Sequence, residues 1–91
     1  MKYVLRYESP AVLDEDKLRA VFPAHRARWA VFREQGTLLL IGPLADRRGA
    51  LAVFTTREAA EAFAASDPFV LEGLVARWTI TAWNEALLDP L

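Results

Sequence analysis

The sequence predicts an α+β fold of the order β-α-β-β-α-β, a four-stranded antiparallel sheet with two helices on one face. Two features of the chain point to it. Strand-like segments at 2–7, 37–45, 50–55 and 74–83 are interleaved with two stretches of helical periodicity. Only Asp46-Arg47-Arg48-Gly49 separates the middle two strands, so these form a hairpin while the outer two are reached through helices. This is the ferredoxin-like plan, in which right-handed crossovers place both helices on the same side.

Each element has a local cause. Residues 2–7 (KYVLRY) alternate and are rich in aromatic and branched types, and Glu8-Ser9-Pro10 ends them. Asp14 is placed as an N-cap, with Glu15 and Asp16 bringing negative charge to the first helical turn. Leu18, Val21, Phe22, Trp29 and Phe32 then form an apolar stripe. Pro23 interrupts that stripe, which predicts a short helix to about Phe22 and a new or kinked one from Pro23, closed by Gly36. Residues 37–45 (TLLLIGPLA) form a strand apolar on both sides, and 50–55 (ALAVFT) return beside it. Thr55-Thr56-Arg57-Glu58 matches a capping box with Thr55 as the cap, opening a helix that buries Ala59, Ala60, Phe63 and Ala64. Pro68 is expected to end that helix, because the residue before a proline avoids the helical region. A loop with Gly73 follows, then 74–83 (LVARWTITAW) alternate as the last strand, and 84–91 read as an arm.

With 91 residues the chain is expected to be a single domain over 1–91, its core at 2–83. Hydrophobic residues make up 54% of it, a high share for so small a soluble monomer. A strand apolar on both faces also needs cover on the side away from the helices. Both point to a homodimer joined through the sheet face, a dimeric α/β barrel. A net charge of -1 gives no electrostatic footprint for nucleic acid. The absence of cysteine excludes disulfides, a thiol nucleophile and Cys-ligated metal. No apolar run has the length of a membrane span, and the first residues lack the features of a signal peptide, so the expectation is a cytoplasmic protein without membrane partners.

The connectivity also brings polar residues together. The start of the first helix and the end of the second share one end of the sheet. With His25 near the start of the segment opened by Pro23 and Asp67 at the end of the second helix, the two are predicted neighbours. The hairpin tip and the end of the first strand lie at that end too. A pocket there would be lined by Tyr7, Gly42, Pro43, Leu44 and Phe69, with His25 and Asp67 as its polar groups. His25 is the only histidine. It reads either as a core histidine satisfied by a carbonyl or by Asp67, or as a general acid or base held by that carboxylate. Asp67 reads either as ordinary helix-ending chemistry or as a carboxylate that needs a cation facing it, with protonated His25, Arg19 or Arg26 as candidates. One histidine with no cysteine and few candidate carboxylates beside it argues against a metal site, and no cofactor motif is present. Trp29, Trp78 and Trp83 read as packing residues, and Arg47-Arg48 as a solvated hairpin tip able to meet an anion.

Several segments resemble the YCII family of small dimeric α+β barrel proteins. Ala62-Phe63-Ala64 leading into Asp67-Pro68-Phe69-Val70 and Gly73-Leu74 is the most specific of them. Pro23-Ala24-His25, Ile41-Gly42-Pro43-Leu44 with Gly49, and the closing strand at 80–83 are also similar. The resemblance implies a ferredoxin-like fold, a dimer and an active site built on a histidine–aspartate pair, roles that fall on His25 and Asp67. It departs at Phe22, where an arginine is expected, and at Ala50 and Leu51, where small polar residues are. Together these readings lead to an expectation of a small-molecule enzyme, of lyase or isomerase type, that moves a proton through His25 with Asp67 orienting it. The alternative is a non-catalytic ligand-binding or structural dimer.

Overall fold

A computed structural model describes residues 1–86. Strand β1 (Lys2–Glu8) leads to helix α1 (Glu15–Glu34), then to β2 (Leu38–Pro43) and β3 (Gly49–Phe54). Helix α2 (Arg57–Ala65), a one-turn helix α3 (Pro68–Leu71) and β4 (Arg77–Trp83) complete the chain. The strands form one antiparallel sheet in the order β2-β3-β1-β4, the expected ferredoxin-like topology. Leu5 at its centre stands between Ala52 of β3 and Ile80 of β4.

The period of two along the strands decides which face is core. Leu5, Tyr7, Ala52 and Phe54 point to the helices, where Phe32 of α1 and Ala60, Phe63 and Ala64 of α2 meet them. Phe54 and Phe63 are fully buried, each contributing about 2 kcal/mol relative to exposure. Phe63 meets the edge of Phe32 at 5.2 Å between ring centroids, an arrangement the ring quadrupoles favour.

Helix α1 is a single helix across Pro23, not the two segments that the proline suggested. Pro23 is exposed, so the backbone bond it forgoes lies on the solvent side, where water satisfies the freed carbonyl. His25, Trp29 and Phe32 hold the second half against the rest of the protein from the inner side, and Phe22 packs the end of the first half on Trp29 and Phe69. Asp14 caps the helix by accepting from the Lys17 N–H at 3.0 Å. Gly36, with φ +76°, closes it as expected.

Two further local expectations are corrected. The cap of α2 is Thr56, whose hydroxyl accepts from the Ala59 N–H at 3.1 Å. Thr55 is still tied to the sheet, its N–H donating to the Thr37 carbonyl at 2.9 Å. The stretch after Asp67 is helix α3, not loop. Pro68 sits in its first turn, where a fixed φ and a missing N–H suit the backbone, and Asp67 is its N-cap. Leu74 consequently plugs the core, and β4 begins at Arg77, three residues later than expected.

Gly49 fixes the hairpin against β1. A Cβ there would lie 2.1 Å from the Tyr7 carbonyl oxygen, so no side chain fits without moving backbone. The sheet face away from the helices carries Val4, Leu40, Leu51 and Val53, with Leu40 67% exposed and Leu51 39%. Of the predicted arm, residues 87–91 lie outside the described residues. Glu85 pairs with the N-terminal amine at 3.1 Å and with Lys2 at 2.8 Å, which ties the start of that arm to β1. Among the described residues, no helix is long and apolar enough to cross a membrane.

Candidate active site

His25 projects from the middle of α1, and Asp67 stands between α2 and α3. Their side chains meet although they are 42 positions apart, with Nδ1 of His25 2.8 Å from Oδ1 of Asp67 and 3.0 Å from Oδ2. The Tyr7 hydroxyl, arriving from β1, donates to Oδ2 at 2.6 Å. The Phe69 N–H donates to Oδ1 at 3.0 Å. A carboxylate with no exposed surface would be costly if unpaired, and three donors from three elements offset that desolvation. Asp67 therefore organises the site with both oxygens and caps α3 with one of them, Oδ1.

Of the expected cations for Asp67, only His25 meets the carboxylate, not Arg19 or Arg26. The end of α2 itself is met by Arg28. Its Nη2 donates to the carbonyls of Ala62 and Phe63 at 3.3 and 3.0 Å, in the last turn of α2. Its guanidinium also lies 5.3 Å from the ring centroids of both Phe32 and Phe63. Arg19 instead pairs with Asp16 on the surface, and Arg26 is exposed.

One turn beyond His25, Trp29 donates its indole N–H to Nε2 at 3.2 Å. Indole nitrogen is a donor only, so Nε2 must hold a lone pair. The ring is therefore the neutral tautomer that carries its proton on Nδ1 and donates it to Asp67. Phe69 stacks on the imidazole at 3.9 Å between centroids and 13° between planes, which fixes the ring's tilt. Burial, then the hydrogen bond to Asp67 and the charge of that carboxylate, push the Tyr7 phenol far above the usual tyrosine range. Tyr7 is a donor at any ordinary pH.

These groups form one end of a cavity of about 550 Å³, open to solvent between the hairpin and α1. Tyr7, Gly42, Pro43, Leu44 and Phe69 line it together with His25, where the connectivity placed them. Asp67 does not line it. It is sealed behind Tyr7 and His25, and acts on the cavity only through them. The walls are otherwise aliphatic and aromatic, from Leu5, Leu18, Phe22 and Ile41 among others. At the mouth Arg47 pairs with Glu15 at 2.7 Å, linking the hairpin tip to the first turn of α1. Arg47 holds a left-handed φ of +62°, which sharpens that tip. Deeper in the rim, Glu8 is held below the usual carboxylate range, chiefly by its hydrogen bond from Arg77. Among the described residues, no group of three or more His, Asp or Glu side chains is placed to hold a metal ion.

Two contributions escape a reading of the sequence. The alternation of β1 gives the face on which Tyr7 lies but not the reach of its hydroxyl to Asp67. The bond from Trp29 to His25 did have a signal, since residues four apart share a helix face.

A ferredoxin-like sheet, with an imidazole on an apolar cavity and a buried carboxylate behind it, defines a small α+β protein. The chain belongs to the family of the YCII-related domain, whose model matches residues 1–84. Among solved structures, it is similar to the 5-chloro-2-hydroxyhydroquinone dehydrochlorinase TftG from Burkholderia phenoliruptrix AC1100, in complex with 2,5-dihydroxybenzoquinone. The TM-score is 0.74 at 16% identity, over 94% of this chain and 96% of that one. At that identity the likeness shows a shared fold. No curated protein matches the sequence.

Proposed function

We propose that the protein is a small-molecule enzyme of lyase or isomerase type, working by general acid–base chemistry at His25. The observation that carries this is the hydrogen-bonded chain from Tyr7 through Asp67 to His25, which ends on the cavity. With Nδ1 bonded to Asp67, Nε2 is the basic atom. It takes a proton from a C–H or O–H made acidic by a neighbouring carbonyl or an electron-poor ring. The imidazolium formed is balanced by the Asp67 carboxylate, so Asp67 is a positioning residue and His25 the catalytic one. In an elimination, the electron pair of the broken C–H bond forms the new double bond. The leaving group departs with its own pair, and His25 then gives its proton to solvent.

The substrate class we favour is a small hydroxylated ring. Apolar walls, with Tyr7 and His25 at one end and Glu8, Ser9 and Arg47 at the rim, suit a flat ring that carries polar substituents on its edge. The similarity in fold to a dehydrochlorinase of a chlorinated hydroxyhydroquinone lends support to that choice. We further propose that the protein works as a homodimer, with a second copy of the chain covering the apolar sheet face around Leu40 and Leu51.

The test is a turnover screen over halogenated and unhalogenated hydroquinones, hydroxyquinones and simple β-hydroxy or keto acids. It compares the unchanged protein with His25→Ala and Asp67→Asn. Turnover should fall by about a hundredfold or more in His25→Ala, the lower end of what general acid–base catalysis supplies. Equal turnover in all three would overturn the assignment. Binding of 2,5-dihydroxybenzoquinone without turnover of any member would favour a ligand-binding protein instead.

A further inference from the structure

Both ring nitrogens of His25 are occupied in the free protein, Nδ1 by Asp67 and Nε2 by Trp29. A base whose lone pair already accepts a hydrogen bond cannot take a proton from a substrate until that donor withdraws. We propose that Trp29 is the positioning residue that holds this base in reserve, its indole N–H occupying Nε2 until a ligand displaces it. This inference rests on His25 being the base, and it assigns the step that precedes proton transfer.

Three observations support it. The indole N–H has His25 as its acceptor and lies one turn along the same helix, so a rotation about the Trp29 side chain alone makes or breaks the bond. Trp29 also separates two spaces. On one side it lines the main cavity; on the other it lines a surface groove of about 300 Å³ with Arg26, Arg33, Leu39 and Leu40. The indole thus has somewhere to go. His25 meanwhile stays in place, because Asp67 holds its edge and Phe69 its face. Withdrawal of Trp29 leaves Nε2 pointing into the cavity with the proton still on Nδ1. A bond between two neutral partners is weak enough for a polar ligand to replace.

With a single histidine in the chain, its ring can be observed without overlap. The full-length protein, labelled with 15N at the histidine ring and the indole nitrogens, is examined by NMR at neutral pH without any ligand. A 15N–15N coupling through the hydrogen bond between Trp29 Nε1 and His25 Nε2 should be present in the unchanged chain. In Trp29→Phe, the Nε2 resonance should move towards that of a free, unbonded ring nitrogen while Nδ1 keeps its proton. Acylation of His25 by diethyl pyrocarbonate, read by peptide mass, should become about tenfold faster, the factor equivalent to one hydrogen bond of about 1.4 kcal/mol. Phe22→Ala is the steric control. Phe22 touches the Trp29 ring edge-on at 5.8 Å, so its loss opens space but leaves the N–H in place. Nε2 should keep its resonance in that variant.

A protonated Nε2, no coupling in the unchanged chain, or an Nε2 resonance indifferent to Trp29→Phe would overturn the proposal. The coupling needs no variant, so it decides the matter even if Trp29→Phe folds poorly. None of these measurements needs a substrate. Failure of the catalytic assignment would therefore appear in the turnover screen, and failure of the Trp29 role would appear here.

Discussion

Tyr7→Phe separates the energetic roles of the buried carboxylate from those of the ring above it. The hydroxyl donates to Asp67 at 2.6 Å in a site without solvent, and the carboxylate keeps only His25 and Phe69 as donors when it is gone. Hydrogen bonds to charged groups contribute about 1.5–3 kcal/mol, so the variant should unfold about 2 kcal/mol more easily at neutral pH. The difference has a defined pH dependence. The Tyr7 phenol is raised above its ordinary value of 10.0 by burial first and by Asp67 second. A group whose folded value is raised contributes stability fully below the unfolded value and loses it as pH rises beyond that value. Above pH 10 the unchanged protein should therefore lose about 1.4 kcal/mol per pH unit from this residue, a loss that phenylalanine cannot suffer. The two proteins should become equally stable about one and a half units above pH 10. Urea unfolding followed by tryptophan fluorescence at a series of pH values measures both quantities. A gap that stays constant through the alkaline range, or no gap at neutral pH, would refute the reasoning.

Gly49→Ala should destabilise by about 1–3 kcal/mol in urea unfolding, because its Cβ would press on the Tyr7 carbonyl and push the hairpin off β1. Arg28→Met, which keeps the aliphatic bulk, should cost about 1–2 kcal/mol through lost bonds to the carbonyls of Ala62 and Phe63. Leu40→Glu puts a charge on the open sheet face, on its edge strand β2. The unchanged chain is expected to sediment as a dimer and this variant as a monomer with the same circular dichroism, whereas a monomeric unchanged chain would dismiss the homodimer.

The sheet order was legible because it follows from connectivity, which needs only the sequence of elements and the handedness of crossovers. The nearness of His25 to Asp67 was argued from a helix start at Pro23, whereas His25 reaches the carboxylate from the middle of a continuous α1. Local rules did less well where two of them competed. Pro23 announces a break, but its cost is small on a solvent-facing turn and the packed inner face outweighs it. Thr55 and Thr56 are equally good caps by type, and the sheet claims the first through Thr37. Pro68 was read only as a terminator, though the property that ends one helix also suits the first turn of another. The depth of Asp67 was hidden for a different reason. Solvent access belongs to the assembled packing of Tyr7, His25 and α3, and no single segment encodes it.

The sharing of Asp67 between the imidazole and the α3 cap has an evolutionary side. A lineage that lost the chemistry would still need this carboxylate to seat α3, so selection for folding alone would keep it. Its presence in a relative would testify to the fold. His25 and Trp29 carry no such second duty at a helix end, and their joint retention or joint loss would be the trace that use of the site leaves in descendant sequences.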